Sequence, residues 1–229
     1  SLLSLLLLFP KMKIAKRNEF HSHPFSLEIT KGLAGYFALC VLLHHIINNL
    51  LTMNKYPTNS FLLEHAGVLL VGFFFFFSGY GLIVSHEEKQ EYLKTFLFRR
   101  VCTVLLPYFL CNYAYMTTTL LMGNQFTMKQ LLLAFFGVIL LNDHMWFAVE
   151  IMILYLAFYF IFRFLRSEKA KYITMAAVIL SMITFSFLLG HNMNSMVQMN
   201  WFQGEWWYNT TLLFLLGMLF AKFREKLLP

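Results

Sequence analysis

Ala66-Gly-Val-Leu-Leu-Val-Gly-Phe-Phe-Phe-Phe-Phe-Ser-Gly-Tyr-Gly-Leu-Ile-Val-Ser85 runs without one charged side chain. A helix this long and apolar on every side matches the ~20 residues that cross a hydrocarbon core of about 30 Å. The composition around it points the same way. Of 229 residues 59% are hydrophobic, 27 are Phe and only 13% are charged, more apolar surface than a soluble domain of this size can hide. Comparable runs recur near Lys31–Leu51, His65–Ser85, Val101–Leu121, His144–Phe164, Tyr172–Leu189 and Trp206–Phe223. The expected fold is therefore all-α, a polytopic transmembrane helix bundle of six full spans.

A seventh apolar run, Leu131–Leu141, is shorter than a crossing needs, and its placement decides the topology. Lys and Arg gather in cytoplasmic loops. Four clusters stand out: Lys11 to Arg17, Lys89 to Arg100, Arg163 to Lys171, and Lys222 to Lys226. The intervening loops are nearly bare, with Lys55 in one and Lys129 in another. All four clusters share one side only if Leu131–Leu141 enters and leaves on the outer side, as a short re-entrant or half-buried helix. The N-terminus is then cytoplasmic in a multi-pass protein of the cell membrane.

The same reading explains the formal charge of +7 without nucleic acid, because the cations sit in short clusters beside apolar runs. Cys40, Cys102 and Cys111 each lie inside an apolar segment and suggest no disulfide framework. Residues 1–25 read as an N-terminal membrane-surface segment, since Leu2–Phe9 is too short to span and its cations follow rather than precede it. Residues 26–229 read as one transmembrane domain.

Polar groups inside a membrane are costly and mark function by default. In the first span Lys31 opens the helix, and His44 and His45 lie roughly 20 Å further along at ~1.5 Å per residue. At about 100° per residue, His45 falls within roughly 40° of the Lys31 face, which also carries Gly35 and Ala38, while His44 points elsewhere. Ordinary packing would also accommodate a histidine there. Span two carries Ser78-Gly-Tyr80-Gly81, whose two glycines allow close helix approach. Arg99 and Arg100 precede span three, either as a topological anchor or as a fork for phosphate. Asp143-His144-Met-Trp146-Phe147 opens span four with Glu150 one turn later, and Trp206-Trp207-Tyr208 opens the last span as an interfacial belt would. His21 and His23 find no third ligand nearby, and no metal is expected.

Taken together these segments resemble the acyltransferase 3 family, the membrane O-acyltransferases typified by O-antigen acetylases. Thr30 to His45 is similar to the family's first-span signature, whose final histidine is held to be catalytic. Phe74-Phe-Phe-Phe-Ser78-Gly-Tyr-Gly-Leu82 resembles its Phe-rich Ser-Gly motif, and Phe98-Arg-Arg-Val-Cys-Thr-Val-Leu-Leu-Pro-Tyr108 its Arg-rich helix leading into Pro-Tyr. Trp146-Phe147 through Tyr155 and Phe214-Leu-Leu-Gly217 resemble weaker signatures further on. Many members carry Arg eleven residues before the histidine, where this chain has Ala34, so the basic role either passes to Lys31, three residues earlier, or is absent. Family domains usually have more spans, so the resemblance implies that 26–229 is an acyltransferase-like domain incomplete at its C-terminus, and the chain looks like a truncated member.

The resemblance implies transfer of an acyl group, commonly acetyl, from a coenzyme A thioester to a hydroxyl of a carbohydrate or other envelope component. Acyl-CoA is then a co-substrate, and no cofactor is bound. His45 is expected to be the catalytic base. Lys31, Ser78, Tyr80, Arg99, Arg100, His144 and Trp146 are expected to bind substrate, the cations on the donor's phosphates and the outer pair on the acceptor. The competing class is a transporter or flippase for a small molecule or lipid-linked glycan, which would show the paired broken helices not found here.

Overall fold

The computed structural model describes residues 24–52, 61–136, 140, 142, 145–188 and 206–227, without the side chains of 51–52, 61–66 and 206–209. The expected surface segment 1–25 thus lies outside the described residues except for its last two, as do His21, His23, Asp143 and His144. Every regular element among the described residues is helical. They are α1 Leu27–Thr52, α2 Phe61–Glu88, α3 Tyr92–Arg100, a π-helix Val101–Leu105, α4 Leu106–Leu121, α5 Met128–Phe135, α6 Trp146–Phe164, α7 Glu168–Leu188, α8 Trp206–Lys222 and α9 Arg224–Leu227.

Local chemistry sets the ends, and several differ from the apolar runs. α1 begins ahead of Lys31 because the Ser26 hydroxyl accepts the Ile29 N–H at 3.4 Å, capping the first turn. α5 begins three residues ahead of its apolar run, where Thr127 and Gln130 form a reciprocal capping box. The run expected from Val101 as one span is part of a helical stretch that starts at Tyr92 and widens into a π-turn, the Leu106 N–H reaching back to the Val101 carbonyl. Pro107 accounts for the widening, since it offers no N–H and its ring crowds the carbonyl one turn earlier. Among the described residues, four helical segments are long and apolar enough to cross a membrane: Leu27–Leu50, Gly67–Glu88, Trp146–Phe164 and Glu168–Leu188. Six were expected; the π-turn leaves α4 with 16 residues, and α8 has 17.

The chain forms two compact units, Ser1–Phe74 and Phe75–Pro229. In the first, Phe37 stacks on Phe73 with centroids 4.9 Å apart, and the His44 ring fills the space over Gly67. In the second, α2 beyond Phe75 runs parallel to α6. Phe75 meets Trp146 and Phe147 at one end, and His86 meets Phe158 and Phe162 at the other. It also runs parallel to α8, from Phe76 against Phe220 to the Glu87–Arg224 ion pair at 2.6 Å. α7 returns in the opposite sense, its start meeting the ends of α6 and α8 through Tyr172, which lies against Phe162 and under Lys222. Lys89, Lys94, Arg163, Lys171, Lys222 and Arg224 therefore gather at one end of this unit, while Arg100 lies further in, against Tyr155 of mid-α6. α4 leads away from that end. α5 lies back along it, with Tyr108 donating to the Ala134 carbonyl at 3.4 Å and Phe135 stacked on Phe109.

Phe75, Phe96, Phe158, Phe214 and Met218 fill the interior of the second unit. In a bilayer the lipid is as apolar as these side chains, so cohesion rests on close packing and small residues. Gly79 and Gly217 supply the closest approach: a Cβ on Gly79 would strike the Phe214 carbonyl, and one on Gly217 the Phe76 carbonyl. Gly79→Ala is therefore expected to cost about 1–3 kcal/mol through overpacking. Gly81→Ala, with nothing within 4 Å of the new methyl, should be neutral or gain up to about 1 kcal/mol, because alanine is the better helix former. Thermal melts in detergent check this, and equal melting of the two variants would contradict the crossing.

Candidate active site

Adjacent helical residues point about 100° apart, and the final turn of α3 uses that angle to separate two arginines. Arg99 is exposed; Arg100 turns inward and is half-buried. The Arg100 Nη2 donates to the Tyr92 hydroxyl at 3.2 Å. Its guanidinium lies 4.6 Å from the Tyr155 ring centroid and 5.5 Å from that of Phe96. Among the described residues no carboxylate pairs with it, so aromatic faces supply its charge stabilisation, an attraction worth about 0.5–2 kcal/mol per contact. One of its five N–H groups is committed to Tyr92, which leaves most of the fork available to an anion.

Tyr155 comes from the middle of α6 and is buried. Its hydroxyl donates to Ser78 Oγ, on α2, at 3.2 Å. Arg100 and Ser78, two expected substrate-binding residues, are thus joined through one side chain that links three helices. Tyr80 is not part of this chain. Two residues past Ser78 it occupies another face of α2, with its ring 6.2 Å from that of Phe220 on α8. Trp146 opens α6 at the end away from the cations, its ring 6.2 Å from Phe75.

At the basic end a cavity of about 630 Å³ is lined by His86, Glu87, Lys89, Tyr92, Lys94 and Arg163, among others. Tyr92 belongs both to this wall and to the Arg100 contact. Glu87 is engaged by Arg224, whose pKa that hydrogen bond raises further, and Glu91 by Lys94. Lys222 sits 4.0 Å over Tyr172 and Lys171 lies 5.2 Å over Phe162. Cation-on-ring contacts thus recur across this end.

In the first unit Lys31, Gly35 and Ala38 are exposed, and a Cβ on Gly35 would meet nothing within 4 Å. His45 is half-buried. The two imidazoles stand 5.1 Å apart and tilted at 60°; His44 is the one over Gly67, with its Nε2 3.2 Å from the Asn48 amide nitrogen.

Three polar side chains carry more of this arrangement than the sequence suggested. Tyr92 and Tyr155 hold Arg100, yet Tyr92 reads in sequence as one aromatic among many, and Tyr155 only as the end of a weak family signature with no role assigned. Glu150 is fully buried on α6, Thr211 of α8 donates to its Oε1, and its Oε2 has no hydrogen-bond partner among the described residues. A carboxyl group one turn into an apolar span was the available signal for it.

Residues 26–229 match the acyltransferase 3 family, described as an acyltransferase domain, and the chain belongs to that family of membrane acyltransferases. The matched segment contains every residue of the site above. No curated protein and no solved structure matches the chain.

Proposed function

We propose that the protein moves an acyl group, in the simplest case acetyl, from acyl-CoA to a hydroxyl of a carbohydrate or other cell-envelope acceptor. The observation that carries this reading is Arg100: a half-buried guanidinium without a carboxylate among the described residues, next to the cavity-lining Tyr92, in a chain of an acyltransferase family. Such a fork suits the donor's phosphates, which guanidinium binds in pairs of parallel hydrogen bonds. Arg99 adds positive charge for the same group, and Lys31 is proposed as a further substrate-binding cation. Ser78 and Tyr80 hold the donor or acceptor by hydrogen bonds, and His144 and Trp146 receive the acceptor on the outer side.

His45 is the general base in this proposal. An imidazole titrates near neutrality, so it can take the acceptor's hydroxyl proton as oxygen attacks the thioester carbonyl, then return it to the departing thiolate. The ester C–O bond forms, the C–S bond breaks, and the proton ends on coenzyme A. His45→Ala should therefore lower acyl transfer by at least about 100-fold with insertion and melting unchanged, measured as acceptor-dependent release of free CoA from purified protein. His44→Ala should act mainly through stability, since that ring packs on Gly67. Full activity in His45→Ala removes the proposal.

The topology proposed with this function has six crossings, a cytoplasmic N-terminus and α5 as a dip from the outer side. It is supported by the gathering of cations at one end of the second unit and by the brevity of α5, whose eight residues cover about 12 Å at ~1.5 Å per residue. Single cysteines at Asn124, Asn142 and Ser167, without the native three, test it with an impermeant maleimide on intact cells. The first two should label and the third should not; labelling of Asn124 and Ser167 but not Asn142 would mean that α5 crosses.

A further inference from the structure

Tyr155, which closes the Trp146–Tyr155 signature without a role assigned to it, touches two of the residues proposed above to bind substrate. Its ring lies 4.6 Å from the Arg100 guanidinium, and its hydroxyl donates to Ser78 Oγ at 3.2 Å. We infer that Tyr155 is the positioning residue of the donor site, its ring holding Arg100 for the donor's phosphates and its hydroxyl orienting Ser78 toward a carbonyl of the donor's arm. The inference rests on the acyl-CoA reading above and specifies how one side chain serves both ends of that ligand.

The argument follows the two halves of the side chain. Arg100 has no carboxylate partner among the described residues, so the ring face is a principal support of its charge and fixes the plane of the fork. A carboxylate in that place would neutralise the guanidinium and compete with a phosphate. An aromatic face orients the cation and leaves its N–H groups to the ligand. At the other end, the Tyr155 O–H occupies a lone pair of Ser78, so the serine's own hydrogen points elsewhere. Tyr155 is the partner of the Ser78 hydroxyl among the described residues, and an O–H whose oxygen already accepts a hydrogen bond is a stronger donor. Carbonyl oxygens are what it suits, and the arm of acyl-CoA offers two amides and the thioester. Tyr155 is 5% exposed, and these two contacts are both with protein side chains.

The two halves can be separated by substitution and by donor. Tyr155→Phe keeps the ring and loses the hydroxyl; Tyr155→Leu loses both. Acetyl-CoA carries the phosphates, whereas S-acetylpantetheine carries the arm alone. With full-length protein in nanodiscs, Tyr155→Phe should match Ser78→Ala in its kinetic loss with both donors, and the double variant should be no worse than either. Tyr155→Leu should raise the KM for acetyl-CoA about tenfold beyond Tyr155→Phe, the fold-change of ~1.4 kcal/mol, with no such excess for S-acetylpantetheine. A purely structural role would penalise both donors alike. Equal penalties, or losses of Tyr155→Phe and Ser78→Ala that multiply, overturn the inference while the acyltransferase reading stands. If Tyr155→Leu does not fold, the Tyr155→Phe and Ser78→Ala cycle decides alone. Failure of the wild type to use either donor would overturn the reading and the inference together.

Discussion

A guanidinium that leaves water without a carboxylate must be stabilised by something else, and Arg100 rests on aromatic faces. Tyr155 lies beneath it, Phe96 beside it, and the Tyr92 hydroxyl accepts from it. That arrangement locks α3 to α6, because the arginine comes from one helix and its main support from the other. It also joins α2, since the same Tyr155 holds Ser78. Three helices are registered by one cation, and the remaining N–H groups of that cation are the only part of it not spent on the protein among the described residues. The cost of bringing a charge into a partly dry site is thus met in a way that leaves it competent for an anion.

The bilayer explains why packing takes this form. Lipid tails compete on equal terms with Leu and Phe, so parallel helices gain little from apolar contact alone. Gly79 and Gly217 instead let α2 and α8 touch backbone to backbone, and Glu150 with Thr211 ties α6 to α8 through a buried hydrogen bond. The π-turn after Arg100 belongs to the same economy. Ahead of Pro107 the helix gives up its ordinary bonding for a wider turn, and beyond it Tyr108 and Asn112, four residues apart, face the interior. The widened turn separates the register of the arginine helix from that of α4.

Much of the fold was legible because hydropathy reports solvent directly: the uncharged stretch from Ala66 to Ser85 and its counterparts appear as helices close to where they were expected. The ends were less legible. Ser26 and Thr127 start helices by capping, a hydrogen-bond effect that an apolar run does not register. The break in the third run depends on Pro107, whose influence falls on residues before it. Within the site, Arg100 and Ser78 stood out by type and spacing, and the structure joins them. Tyr80, grouped with Ser78 by proximity in sequence, turns to a different neighbour because two helical residues span about 200°. Tyr155 was hidden for the opposite reason. It closes a weak family signature, but an aromatic residue in an aromatic-rich span carries no sign of its role until its partners are known.

Arg99 and Arg100 are equivalent in sequence and opposite in setting, and that contrast tests the account most directly. Binding of a non-transferable acyl-CoA analogue to the protein in nanodiscs should weaken about tenfold or more for Arg100→Gln, in keeping with the ~1.5–3 kcal/mol of charged hydrogen bonds to phosphate. Arg99→Gln, which removes an exposed and salt-screened cation, should weaken it by about threefold at most. Equal effects of the two substitutions, or a larger effect at Arg99, would contradict the claim that the Arg100 fork on its aromatic support is where the donor is held.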